Sequence, residues 1–468
     1  MVNSHLQGEA GDVTTKDTGR RIPIRTIVAG ALVALVALVT GTIFGSRHTV
    51  DIVVPDSSAM GARAGSGQRL VLLTLTPHVR AAETAAKLFE KETGAVFQVK
   101  VVNYEAVGDT ILKDHASNSP QIDVFEMHYA DLAVLVAKGA VMDLTRFVEE
   151  NADVIRPDDF IPGLYDHYTS YQGRRWALPN DADTHVLFYR KSLLAKYGLR
   201  PPETWDDYLH IARTITEHER ANGVYGSAIM ARDVPMMIVS SYMNRLAAYG
   251  GELMDEQGNP QLNSPEAVAA LEAMIEHAKY ALPTPLETDF DVSRLAFLSG
   301  RVAMVEQWTD IGVMAEDPTQ STIRGDWGVV PMPKGKGPKA RHASSLNGGY
   351  AVAIASSTKE PEIAKAYVRF VSRRDTMLTL NRVNGGFDPA RVSILSSPEF
   401  QQFAPQVSAI EQIAFSNPMI AWPKVPQTPA LMNALTDHLE RAMEHEATPR
   451  QALNAAQAEW QKILSHDE

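Results

Sequence analysis

Residues 26–46 hold no charged side chain, and they follow directly on Arg20, Arg21 and Arg25. As a helix this run would be about 31 Å long, close to the apolar thickness of a bilayer. It is apolar on every face, whereas its neighbours in sequence are polar and structure-poor, so a buried core helix fits it badly. The arginines precede it, so residues 1–25 are expected in the cytoplasm and the bulk of the chain outside. A signal peptide has a shorter apolar core, with a small-x-small cleavage site just beyond. The nearest match, Ala62-Arg63-Ala64, lies well past the run. A transmembrane anchor at 26–46 is therefore expected, with cleaved export as the alternative. Residues 47–68, rich in Gly, Ser, Ala and Pro, read as a linker.

The remaining residues, about 400, are too many for one ordinary core and natural for two lobes. They contain no cysteine, which excludes disulfides, thiolate metal sites, a cysteine nucleophile and a lipidated cysteine. The net charge of −12 disfavours a nucleic-acid partner. Strands expected at 70–75, 96–102 and 122–126 alternate with helices at 79–93, 104–117 and 130–138. Such alternation predicts a parallel sheet covered on both faces. After a break at Trp176, further strands are expected at 185–189, 302–306, 327–330 and 350–354. Helices are expected at 191–197, 206–221, 266–280, 292–300 and 361–371, then at 431–444 and 448–464. Thr204 is a helix N-cap by its position, and Pro265 opens the next clear helix.

Three groups of residues are candidates for a ligand site. Glu126 and His128 follow a short buried strand, and open α/β sheets gather ligands at the carboxyl ends of their strands. Asp181 and Asp183 stand at the break between lobes. Trp308 and Asp310 follow an apolar strand, and Trp422 sits in a proline-bounded loop. An aromatic face suits the C–H surface of a sugar, and carboxylates accept from its hydroxyls. Packing explanations stand beside these: a core role for Trp308, a turn cap for Asp181, a surface histidine at 128, tail packing for Trp422. The chain lacks a G-x-S-x-G elbow, a P-loop, H-E-x-x-H and G-x-G-x-x-G. Asp181 and Asp183 are expected to face apart, a poor arrangement for acting together on one bond. No carboxylates and histidines stand at metal-ligand spacing. Neither an enzyme nor a cofactor or metal is expected.

The order of motifs resembles the carbohydrate-type extracellular solute-binding proteins of bacterial ABC importers, the superfamily of maltodextrin-binding protein. The matching segments are GRRWALPNDADTHVLFYRKSLLAKYGLRPPETWDDYL from Gly173, FLSGRVAMVEQWTD at 297–310 and DWGVVPMPKGKG at 326–337. LNGGYAVAIASSTKEPEIAKAYVRFV follows at 346–371. The likeness runs from Leu70 onward. It implies a two-lobed α/β fold with a ligand cleft, one lobe from 69–178 and 349–385, the other from 182–345 and 386–468. It also implies capture of a sugar or polyol outside the cytoplasmic membrane and delivery to an ABC permease. A polyamine or a phosphorylated polyol is the alternative ligand. By position, Asp181 or Asp183 resembles a hydroxyl acceptor and Trp308 the cleft aromatic. Asn347, Gly348 and Gly349 resemble the second crossing, Glu126 and His128 an N-lobe contact loop, and Trp422 a C-lobe aromatic. The departure is the missing lipobox cysteine, which leaves the apolar run as anchor or cleaved signal.

Overall fold

The computed structural model describes residues 67–346, 348–383 and 387–465. The expected anchor at 26–46, nearly all of the linker and Asn347 lie outside the described residues. Among the described residues no helix is long and apolar enough to cross a membrane.

In chain order the strands are β1 (Arg69–Leu75), β2 (Val96–Val102), β3 (Val124–His128), β4 (Ser170–Tyr171), β5 (Arg174–Arg175), β6 (Ala177–Asp181) and β7 (His185–Arg190). β8 (Tyr225–Ala228), β9 (Val302–Trp308), β10 (Trp327–Val330), β11 (Ser344–Leu346), β12 (Tyr350–Ile354) and β13 (Met419–Ala421) follow. One sheet has the order β2-β1-β3-β12-β6 and a second the order β10-β7-β9-β8. This is a two-domain α/β fold.

The first sheet is mixed, not parallel throughout as the alternation predicts. β1 runs parallel to β2 and β3, but β12 is antiparallel to both β3 and β6. The physical reason is the route of the chain. β12 enters from the second sheet's side, so it runs opposite to strands that leave toward it.

Local signals set several element ends. The helix Val79–Thr93 buries Ala81, Ala82, Ala85, Ala86 and Phe89, the i, i+3/i+4 spacing of one face. It stops at Gly94, whose φ of +81° gives the left-handed cap that glycine adopts without strain. Helix Trp205–Glu219 starts with a full capping box. Thr204 Oγ1 accepts from the Asp207 N–H at 3.1 Å, and Asp207 Oδ2 accepts from the Thr204 N–H at 2.9 Å. Such a cap contributes about 1 kcal/mol. The strand expected over 302–306 continues to Trp308, so that residue closes β9 instead of following it. The helix Pro235–Tyr249 has no counterpart among the expected elements. It is buried at every position from Met237 to Tyr249, so it shows no one-sided apolar stripe.

Candidate ligand-binding cleft

Several chain segments meet where the two sheets approach. β1 gives way to a single 3-10 turn at Thr76–His78, β6 ends at Asp181, β12 begins at Tyr350 and β9 ends at Trp308. Between them lies a cleft of about 520 Å³, open mouth included. His78, Tyr104, Asp181, Asp183, Gly348 and Tyr350 line it from the first sheet and the crossings. Met236, Met237, Phe290, Trp308 and Asp310 line it from the second. Beside the lining residues Tyr104 and Phe290, Arg232 forms ion pairs with both Glu105 and Asp289, joining the two sides.

His78 is buried between two carboxylates. Its Nδ1 lies 2.7 Å from Glu126 Oε2, and its Nε2 lies 3.3 Å from Asp181 Oδ2. Burial alone lowers the proton affinity of the imidazole, but the charges of Asp181 and Glu126 and hydrogen bonds to both raise its pKa to about 10. Glu126 is itself raised by burial, against the pull of His78. These two directions compete for one proton. We assign it to the ring, because only the imidazolium donates from both nitrogens to both carboxylates.

A folded-state pKa above the usual 6.5 means the protonated ring stabilises the fold fully below pH 6.5, a contribution lost as pH rises through about 10. The His78 ring is therefore expected to keep its proton past pH 9 in NMR titration, and the fold to weaken between pH 7 and 10. Ring shifts moving near pH 6.5, as for an exposed histidine, would overturn this.

Carboxylates gather beside the imidazolium. Oxygens of Asp181, Asp183 and Asp388 come within 4.8 Å of one another. Burial, then the charge and hydrogen bond of Asp181 and the charge of Asp310, push Asp183 well above the usual carboxylate range. Burial and Asp183 do the same to Asp388. Asp310 rises to about 6 through burial and Asp181, against Arg294 and His78. Carboxylates this close share protons, because they cannot all ionise together. The Thr309 hydroxyl extends the chain of groups, 2.5 Å from Asp388 Oδ2 and 2.9 Å from Glu411 Oε1.

Two expectations are corrected here. Asp181 and Asp183 do not face apart: residues two apart in an extended segment share a face, and both line the cleft. A carboxylate cluster also exists where sequence spacing shows none, because the fold brings Asp388 in from a distant segment. The Asp388 N–H donates to Asp181 Oδ1 at 2.6 Å, and the Ala182 N–H donates to the Asp388 carbonyl at 3.3 Å.

Trp308 and Asp310 also line the cleft. Trp308 is only 5% exposed, its ring 4.3 Å from that of His185 and 5.7 Å from that of Phe290. Core packing and cleft lining are thus one position here, not alternatives. Its Nε1–H has no hydrogen-bond partner among the described residues. Glu126, His128 and Trp422 stand outside the lining. Glu126 holds His78, and His128 packs edge-on against Tyr350 at 5.6 Å and Trp422 at 5.1 Å. Gly348 lines the cleft, and Gly349, at φ +98°, abuts the Tyr168 ring so closely that no Cβ fits.

His78, Phe290, Met236, Met237 and Asp388 escape the sequence reading. His78 was within its reach, since it stands just past the first buried strand, the same position that singles out Glu126. Asp388 carries no such local signal.

The sequence profile of the bacterial extracellular solute-binding protein family matches residues 74–377, more than half of the chain. A probable amino-acid ABC transporter periplasmic-binding protein of Sinorhizobium fredii is 23% identical, over 87% of this chain and 92% of its own. The mannitol-binding protein of Pseudomonas aeruginosa is 26% identical, over 61% of this chain and 64% of its own. The structure is similar to an ABC transporter solute-binding protein of Agrobacterium radiobacter in complex with ribitol. That match has a TM-score of 0.77 at 24% identity and covers 85% of this chain and 99% of the other. A maltose-bound protein of T. maritima gives a TM-score of 0.77 at 23% identity, over 85% and 100%. By its fold and by the span of the profile match, this chain belongs to the bacterial extracellular solute-binding protein family, whose members bind solutes without transforming them.

Proposed function

We propose that the chain captures a sugar or polyol outside the cytoplasmic membrane and delivers it to an ABC importer permease. The observation that carries this reading is the cleft itself. It pairs aromatic and methionine walls with three aspartates and the unpartnered indole N–H of Trp308. Those are acceptors and a donor for hydroxyls around an apolar ring surface. Relatives bound to ribitol, maltose and mannitol support the same class. An amino acid, the ligand class in the name of the Sinorhizobium relative, fits less well. Its carboxylate would meet no lysine or arginine among the described lining residues.

In this reading residues 69–178 with 349–385 and 182–345 with 386–468 act as lobes that close on the ligand, because it contacts both. The apolar run at 26–46 tethers the binding domain near its permease through the 47–68 linker, raising local concentration without a lipid.

Thermal unfolding with ribitol, mannitol, glucose and maltose tests the ligand class. A bound ligand at a hundred times its Kd adds about 2.7 kcal/mol of stability. Trp308→Phe keeps an aromatic face but loses the N–H and one ring, and is expected to weaken binding about tenfold, with a separate stability loss of about 1–3 kcal/mol from the buried volume removed. Equal affinity in that variant would remove Trp308 from the site.

A further inference from the structure

The charges around the cleft are unbalanced. Asp181, Asp183 and Asp310 line it, with Asp388 directly behind, and His78 is the one basic side chain among the described lining residues. That imidazolium is already held by Glu126 and Asp181. The nearest arginines are engaged too. Arg294 pairs with Asp291 at 2.6 Å, and Arg232 is bound by Glu105 and Asp289. A neutral polyol entering this cleft leaves the carboxyl groups to hold their shared protons. A ligand cation replaces those protons.

A second, independent observation fixes what else that ligand carries. Trp308 is more than nine-tenths buried and lines the cleft, with its Nε1–H unpartnered among the described residues. That group asks for an acceptor, which an ammonium does not supply and a hydroxyl oxygen does. The aromatic faces of Trp308, Phe290, Tyr104 and Tyr350 suit a cation as well as a C–H surface.

We infer that the cleft selects a polyhydroxy ligand bearing an ammonium group, an amino sugar or an amino-polyol, over its neutral counterpart. Asp181 and Asp183 come from the crossing beside the first sheet, and Asp310 from the end of β9 in the second. An ammonium between them attracts both sides, so its charge favours the closed form. The inference rests on the sugar or polyol reading above and narrows it.

The test is isothermal titration of the full chain at pH 7 with matched pairs: D-glucitol against 1-amino-1-deoxy-D-glucitol, and D-glucose against D-glucosamine. The amine of at least one pair is expected to bind ten or more times tighter than its neutral partner, by a margin that shrinks in high salt. Asp310→Asn is expected to weaken the amine at least fivefold more than the neutral compound, without loss of folded signal. Neutral compounds bound as tightly as their amines in both pairs overturn the inference and leave the polyol reading standing. Tighter binding of 1,4-diaminobutane or of calcium ion than of any hydroxylated compound overturns both, as does no binding across the panel.

Discussion

Glu306→Ala is expected to cost about 3–5 kcal/mol of folding stability, the largest loss from any single side chain discussed. Glu306 sits in β9 with 1% of its side chain exposed, and its partner Arg245, in the helix Pro235–Tyr249, is fully buried. The pair is bidentate, with Nη2–Oε1 at 2.7 Å and Nη1–Oε2 at 3.0 Å. Removing the carboxylate leaves a guanidinium in the core with only the Ser241 carbonyl, His277 Nδ1 and the faces of Trp205 at 4.3 Å and Tyr208 at 5.9 Å among the described residues. It also takes an acceptor from Asn244 Nδ2 at 3.0 Å. Replacing both partners together, Glu306→Met with Arg245→Leu, is expected to recover most of the loss, because a buried pair stabilises little beyond an apolar one of similar size. Urea denaturation checks both. A single variant within 1 kcal/mol of the parent would show that the core tolerates the bare charge.

Gly348→Ala is expected to weaken ligand binding by about a hundredfold while leaving the fold nearly as stable. A Cβ there would stand 2.5 Å from Trp308 Nε1 and 2.8 Å from Asp183 Oδ2, in the space between the crossing and the cleft aromatic. Trp308 is wedged against His185 and Phe290 and cannot yield cheaply. In the lobe closure proposed above, that strain falls on the form that holds the crossing against Trp308. A penalty of about 2–3 kcal/mol on that form lowers apparent affinity by roughly 30- to 150-fold. The neighbouring Gly349 behaves differently. Its φ of +98° and its contact with the buried Tyr168 ring make Gly349→Ala a stability variant first. Calorimetry and ligand titration of the two variants separate these roles, and parent-like affinity in Gly348→Ala would sink the steric argument.

The sequence alone determined whatever depends on a few neighbouring residues. The N-cap at Thr204, the helix over 79–93 and the strands 327–330 and 350–354 follow from local pattern, and the structure agrees with each. The two-domain class and the family were legible for the same reason, and Asp181, Asp183, Trp308 and Asp310 were singled out, although the two aspartates were expected to face apart. Strand ends, breaks and motifs are contiguous in the chain. The buried helix at 235–249 was not legible, because a helix packed on every side loses the period that marks one. Nor was the antiparallel return of β12, which depends on where the chain comes from and not on its residues.

Only the tertiary structure decided the electrostatics of the site. His78 becomes an imidazolium because Glu126 and Asp181 reach it from two strands, and Asp388 joins Asp181 and Asp183 from a segment 207 residues beyond Asp181 in the chain. Charge interacts through space, so which carboxylates share a proton is a property of the folded arrangement. The chain specified those side chains, and the fold alone placed them within reach of one another.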